Sequence, residues 1–274
     1  MQERIVYLFE NKPEIYSPED RALFTAFQKA LNEGKVRACE PTDSGWKVNQ
    51  WVKMGILLGF RMGALAEMNW GENKIFFDKD TLPEKTFSLQ DKLRLVPGGS
   101  SARSGCYIAS GVTIMPPSYI NIGAWVDSGS MVDSHALVGS CAQIGKNVHL
   151  SAGAMIGGVL EPIGSRPVVV EDDAFIGGNT GIYEGILIKK RAVIASGTII
   201  TASTPVYDSV HREFLQPEPG GSFTIPEGAV VVPGSRQMKN EPGFQVYCPI
   251  IVKYRDAKTD NALQLETDLR AVLE

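Results

Sequence analysis

Few side chains in this sequence stand where their types and spacing could do chemistry together. Asp133 and His135 are two positions apart, and a carboxylate near an imidazole can accept or relay a proton. Both also have plain readings: Asp133 can satisfy the N–H groups of a turn, as Asp127 can one repeat earlier, and His135 can simply pack. Three histidines, His135, His149 and His211, include no close pair of the kind that a histidine-held metal needs. His149 precedes an apolar position and suits a local hydrogen bond better than catalysis. Four cysteines, Cys39, Cys106, Cys141 and Cys248, show no C-x-x-C spacing, which points to buried thiols rather than a zinc site or disulfide framework. Arg94 could hold a carboxylate or make a surface ion pair. Gly157-Gly158 could admit a ligand close to the backbone or merely turn a corner. Lys189-Lys190-Arg191, Lys253 and Arg255 could meet phosphates or remain solvated charge.

A repeat must position these residues. One aliphatic side chain returns every sixth position: Ile108, Ile114, Ile120, Val126, Val132, Val138, Ile144, Leu150 and Ile156. The count slips by two and resumes at Val170, Ile176, Ile182, Ile188, Ile194, Ile200 and Val206. Helices repeat at 3.6 and ordinary strands at 2, so a sustained period of six reads as a hexapeptide β-helix. Three hexads close one triangular coil, and the aliphatic residues stack inward on those of the next coil. No coil buries its stripe alone, and both open ends need caps. The fold class is therefore mainly β, a parallel β-helix with flanking caps; its resemblance to hexapeptide solenoids adds a left-handed coil.

The flanks divide the chain into 1–97, mainly helical, 98–232, the β-helix with an external loop near 160–169, and 233–274, a C-terminal strand and helix extension. Ser17-Pro18-Glu19-Asp20 opens a helix that Gly34 ends. A second helix is expected over Val48 to Met68. Leu93 to Pro97 reads as a short extended segment before a Gly98-Gly99 hinge. The interruption from Leu160 to Pro167 contains prolines and glycine and should leave the coil. A second departure follows Val206 through Gln216-Pro-Glu-Pro-Gly-Gly221, then Ile225 and Val231 suggest one more coil. Phe244 to Tyr254 reads as strand and Asp260 to Leu273 as a terminal helix. A net charge of −4 leaves no footprint for nucleic acid or an anionic membrane. No apolar run is long enough to span a bilayer and the N-terminus has no signal-peptide core, so a cytoplasmic protein is expected.

More specific is the stretch Met131-Val-Asp-Ser-His-Ala-Leu-Val-Gly-Ser-Cys-Ala-Gln-Ile-Gly-Lys-Asn-Val-His-Leu-Ser151, followed by Ile156-Gly-Gly-Val-Leu-Glu-Pro162. It resembles the signature of the tetrahydrodipicolinate N-succinyltransferase family, and the likeness continues through Tyr119-Ile-Asn-Ile-Gly123, Phe175-Ile-Gly177 and Tyr247-Cys-Pro-Ile-Ile-Val-Lys253. The resemblance implies succinyl-coenzyme A as co-substrate, no tightly bound cofactor and no metal. The acceptor it implies is tetrahydrodipicolinate, opened by water to an amino-keto diacid, in lysine and diaminopimelate synthesis. It assigns catalysis to Asp133 and substrate contacts to Arg94 and Asp133; His135 and Ser140 are expected beside the substrate as well. Ser151, Gly157, Gly158, Gly177, Lys189 and Lys253 are expected on the coenzyme, beside the loop from Leu160 to Pro167. Gly181 departs from the pattern, because several members carry a glutamate there; Asp133 is then the leading base, with Glu184 or a water as assistant. His135 stands where many members have tryptophan. A flat flank needs a second wall to hold coenzyme A, so a homotrimer is expected. An acetyl-coenzyme A-dependent enzyme of the same fold and a catalytically impaired scaffold are the alternatives.

Overall fold

The six-residue period becomes a three-sided prism, as seen in a computed structural model that describes residues 1–69, 75–218 and 221–256. Each hexad is a two-residue strand and a corner. Alternation within the strand turns its first side chain outward and its second inward, so the recurring aliphatic residue is the buried one. Val126, Val132, Val138, Ile144, Leu150 and Ile156 are all fully buried in one continuous core.

Three parallel sheets form the sides. The first face carries Tyr107–Ile108, Trp125–Val126, Gln143–Ile144, Val169–Val170, Leu187–Ile188 and Thr224–Ile225. The second runs from Arg94–Leu95 through Thr113–Ile114, Met131–Val132, His149–Leu150, Phe175–Ile176 and Val193–Ile194 to Ala229–Val232. The third carries Ser101–Ala102, Tyr119–Ile120, Leu137–Val138, Met155–Ile156, Gly181–Ile182 and Ile199–Ile200. Residues eighteen apart pair in register, as Trp125 does with Gln143 and Met131 with His149. The register jumps twice, from Gln143 to Val169 and from Leu187 to Thr224, and each jump is an excursion out of the prism. The strand pair Arg94–Leu95 already belongs to the second face, with the Arg94 and Val96 N–H groups donating to Val112 and Ile114 at 2.9 and 3.0 Å. The coil thus begins before the glycine pair at 98–99, because its first full turn needs a strand beneath it.

The N-terminal region is a helical cap: α1 (Gln2–Asn11), α2 (Pro18–Asn32) and α3 (Gln50–Met62). At α2 the expected start is a capping box in which the Asp20 N–H donates to Ser17 Oγ and the Ser17 N–H to Asp20 Oδ2, both at 3.2 Å. Helix α3 stops six residues before the expected Met68. Thr81 Oγ1 donates to the Gly59 carbonyl at 2.7 Å and Lys79 Nζ to that of Gly63 at 2.9 Å, and Leu65–Asn69 then pairs antiparallel with Ile75–Lys79. Lys74, read with the segment before that second strand, lies outside the described residues.

The cap sits on the first face and on the edge between it and the third face. Its core of Ile5, Leu8, Phe24, Phe27, Leu31, Val52 and Ile56 continues into Ile122 and Cys141 of the prism. Arg37 lies 4.1 Å over the Trp125 ring and its Nε donates to Gln143 Oε1 at 2.5 Å. The first excursion is held against the same cap, with Leu160 packed on that core and Lys53 Nζ donating to the Ser165 carbonyl at 2.6 Å. Arg166 ties it to the second excursion through Glu218 at 2.8 Å. At the far end, Ile250–Tyr254 runs antiparallel to Ala229–Val232 and parallel to Tyr207–Asp208. The expected single strand from Phe244 is broken: Gln245–Tyr247 turns away to pair with Ser235–Gln237. The helix expected over Asp260 to Leu273, and residues 219–220, lie outside the described residues.

Removing an inward aliphatic leaves a cavity that rigid coils cannot collapse around. Ile144→Ala should therefore cost about 2–5 kcal/mol of unfolding free energy in urea titration. The same change at Ile199, an outward position on the third face, should fall within about 0.5 kcal/mol.

Candidate active site

Stacked coils stack their corners, so side chains eighteen apart form columns along three edges. The edge between the second and third faces is built from residues 115–118, 133–136, 151–154, 177–180 and 195–198. Asp133 sits there directly above Met115 and below Ser151, its N–H donating to the Leu150 carbonyl at 3.0 Å. Its Oδ1 accepts the Ser134 N–H at 2.7 Å, which is the turn role that spacing suggests for such an aspartate. Asp127, on the edge between the first and second faces, takes the Ser128 N–H in the same way at 2.7 Å. The two then differ. Asp127 Oδ2 also accepts the Trp125 indole N–H at 3.3 Å, whereas Asp133 Oδ2 has no hydrogen-bond partner among the described residues. A half-buried carboxylate with one oxygen fixed and the other open is oriented to receive a proton.

His135 shares this corner, exposed, with φ 61° and its N–H on the Pro117 carbonyl at 2.5 Å. Arg94 is exposed at the foot of the second face, in register with Thr113 and Met131. It lies two coil spacings below Asp133, about 10 Å along the axis. A cavity of about 870 Å³ opens at the foot of the third face, between the cap hairpin and Ser101, Ala102 and Tyr119. Its charged pair Arg103 and Asp78 is bonded internally, and it too lies well below Asp133.

Residues 1–62 match the model described as tetrahydrodipicolinate N-succinyltransferase N-terminal, and residues 167–202 match the hexapeptide repeat of succinyl-transferase. A protein of Photorhabdus laumondii named 2,3,4,5-tetrahydropyridine-2,6-dicarboxylate N-succinyltransferase is 43% identical, over 99% of this chain and 98% of its own. One of the same name from Paraburkholderia phymatum is 44% identical over 88% of this chain and 86% of its own. The chain belongs to the tetrahydrodipicolinate N-succinyltransferase family. A crystal structure of a putative 2,3,4,5-tetrahydropyridine-2-carboxylate N-succinyltransferase from Campylobacter jejuni aligns with a TM-score of 0.45 and 17% identity, over 84% of this chain and 62% of that one.

Within this N-succinyltransferase-family chain, the residues expected at the site divide among three edges. Asp133, His135, Ser151 and Gly177 share one, with Arg94 on the adjoining face. Ser140, Gly157 and Gly158 lie on the edge between the third and first faces. Ser140 is buried there, and a Cβ on Gly158 would come within 2.6 Å of its backbone nitrogen. The glycines at 158 and 177 are thus required by the next coil's backbone: at Gly177 a Cβ would run into Ser196 N. The expected opening for a ligand is not what these two residue types provide. Lys189 is exposed on the third edge, away from Asp133 within the chain. Lys253 is on the end strand, with its Nζ 3.3 Å from Asp256 Oδ1. Glu184 stands two coils above Asp133 on the Ser140 edge, its Oε2 accepting the Ala202 N–H at 2.9 Å, so within one chain it does not assist Asp133. The loop from Leu160 to Pro167 faces the cap rather than standing free beside a donor groove.

Sequence reasoning passed over a second polar cluster at the far end. Asp208 is 2% exposed and accepts Tyr254 Oη–H at 2.6 Å, His211 Nδ1 at 2.7 Å and the Val210 and His211 N–H groups at 2.9 and 3.1 Å. Burial alone would raise its carboxyl, but these bonds outweigh burial and hold it below the ordinary 3.8. The hydrogen bond to Asp208 in turn raises His211 above 6.5, with Glu213 adding a little. A raised histidine stabilises the fold fully below its unfolded value, and that contribution fades as pH climbs through the folded value. Proton NMR should place the His211 midpoint above 6.5, returning to the ordinary value in Asp208→Asn. The melting-temperature gap between wild type and His211→Ala should be widest in the mildly acidic range and shrink above it.

Proposed function

We propose that this chain transfers a succinyl group from succinyl-coenzyme A to the amine of ring-opened tetrahydrodipicolinate, with Asp133 as the proton acceptor. The observation that carries the site assignment is the open Oδ2 of Asp133, beside an Oδ1 pinned by the Ser134 N–H. The amine lone pair attacks the thioester carbonyl carbon and its proton passes to Asp133 Oδ2. The carbon–sulfur bond then breaks, leaving an amide and the coenzyme thiolate, which recovers a proton. Arg94, exposed and about 10 Å down the same side, suits a carboxylate at the far end of a diacid acceptor while the amine stands at Asp133. Family membership and the printed names of the relatives support the reaction; the edge geometry supports these two residues.

The second wall of the groove belongs to the same reading. One chain's edge is convex, so we take a neighbouring copy in a homotrimer to close it over coenzyme A. Ser140, Lys189 and Lys253, on other edges and faces, reach a donor bound at Asp133 only if they come from that neighbour.

Asp133→Asn keeps the oxygen that holds the Ser134 N–H and removes the base. It should lower kcat for succinyl transfer about a hundredfold or more with little change in melting temperature. Asp127→Asn should lose no comparable activity, and equal rates for Asp133→Asn and wild type would end the base assignment. Light scattering should give three times the 29.8 kDa chain mass, and succinyl- should outpace acetyl-coenzyme A under the same conditions.

A further inference from the structure

Gly157 and Gly181 have no conformational need to be glycine, since neither has a positive φ. What they share is one neighbour. A Cβ on Gly181 would lie 2.5 Å from Tyr183 Cε2 and 2.8 Å from its hydroxyl oxygen, and one on Gly157 would lie 2.7 Å from Tyr183 Cδ1. Two successive coils therefore give up side chains to seat a single ring. Position 181 is an outward position, in register with Met155 below and Ile199 above. The ring thus starts at the corner, crosses the edge and lies on the outer surface of the third face, with its hydroxyl in front of Gly181.

Packing alone would be served by phenylalanine. The other phenols on this face are engaged: Tyr119 Oη–H donates to Asn121 Oδ1 at 3.3 Å, and Tyr247 Oη accepts the Ile199 N–H at 2.7 Å. Among the described residues the Tyr183 hydroxyl has no hydrogen-bond partner, although the ring is half-buried. Its oxygen reaches the surface, so a ligand's acceptor can take the place of water there. Along this face the outward positions next to Gly181 in register are Leu137, Met155 and Ile199, all apolar, with the Tyr119 and Tyr247 phenols at its two ends.

We propose that Tyr183 is a donor-binding residue, its hydroxyl donating a hydrogen bond to an amide carbonyl in the arm of an acyl-coenzyme A thioester laid along the third face. The inference rests on the reading of Asp133 as the site of acyl transfer. Gly181 lies two coil spacings above the Asp133 coil, about 10 Å. In an extended arm the second amide carbonyl is eight bonds from the sulfur, about 9 Å. A thioester held at the level of Asp133 therefore brings that carbonyl to Tyr183, while the methylene pairs of the arm lie on Leu137 and Met155.

Tyr183→Phe keeps the ring and removes the hydroxyl. Calorimetry with coenzyme A should show a Kd raised about fivefold, the worth of one hydrogen bond of about 1 kcal/mol. The KM for succinyl-coenzyme A should rise by the same factor, with kcat within about twofold and the acceptor KM unchanged, a split that a general loosening would not give. Gly181→Ala, which pushes the ring aside, should weaken coenzyme A binding to a similar extent. A Tyr183→Phe protein with wild-type Kd and donor KM overturns the assignment while leaving acyl transfer at Asp133 intact. Wild-type protein that neither binds coenzyme A nor transfers succinyl overturns both.

Discussion

Everything in the prism is placed by the hydrogen bonds between one coil and the next. A corner N–H reaches the carbonyl one coil above, as Gly139 does to Ile156 and Gly145 to Val170 at 2.8 and 2.7 Å, and the backbones come so close that side chains are excluded at several corners. This spacing turns a linear sequence into columns. Residues eighteen apart share an edge, inward positions share a core, and outward positions share a face. A side chain's chemistry then depends on the column it falls in. Asp127 and Asp133 are six apart and equal in local turn geometry, yet one edge gives Asp127 an indole partner while the other leaves Asp133 open.

The same arithmetic explains what was legible in the sequence. The inward aliphatics needed only the period of six, and all those from Ile114 to Ile156 are buried. Helix α2 was legible because Ser17, Pro18 and Asp20 make a local cap, whereas α1 offered only Ile5 and Leu8 as buried contacts and no capping side chain. The end of α3 could not be read locally, since its last carbonyls are taken by Lys79, at the end of the hairpin's second strand, and Thr81, just past it.

The candidate site was partly legible. Asp133, His135, Ser151 and Gly177 fall on one edge, and the count by eighteen would have separated them from Ser140, Gly157 and Gly158. Glycine was the harder signal. Gly158 and Gly177 make way for backbone, Gly157 and Gly181 for the Tyr183 ring, and sequence alone does not distinguish an absent side chain from a filled space. Gly181 looked like a vacancy at the site. In the folded chain the phenol covers that place, so the position presents a polar group after all.

One strand at the far end also decides what the molecule does not become. A stack of parallel coils is a template that another chain's first turn could continue, edge to edge, without limit. Ile250–Tyr254 covers Ala229–Val232 in the opposite direction, and the pairing shifts between Val230 and Val231. Tyr207–Asp208 then pairs on its outer side and Glu213–Phe214 closes the sheet antiparallel. Reversal, bulge and a final antiparallel strand leave this face a poor template for the parallel strands of another copy.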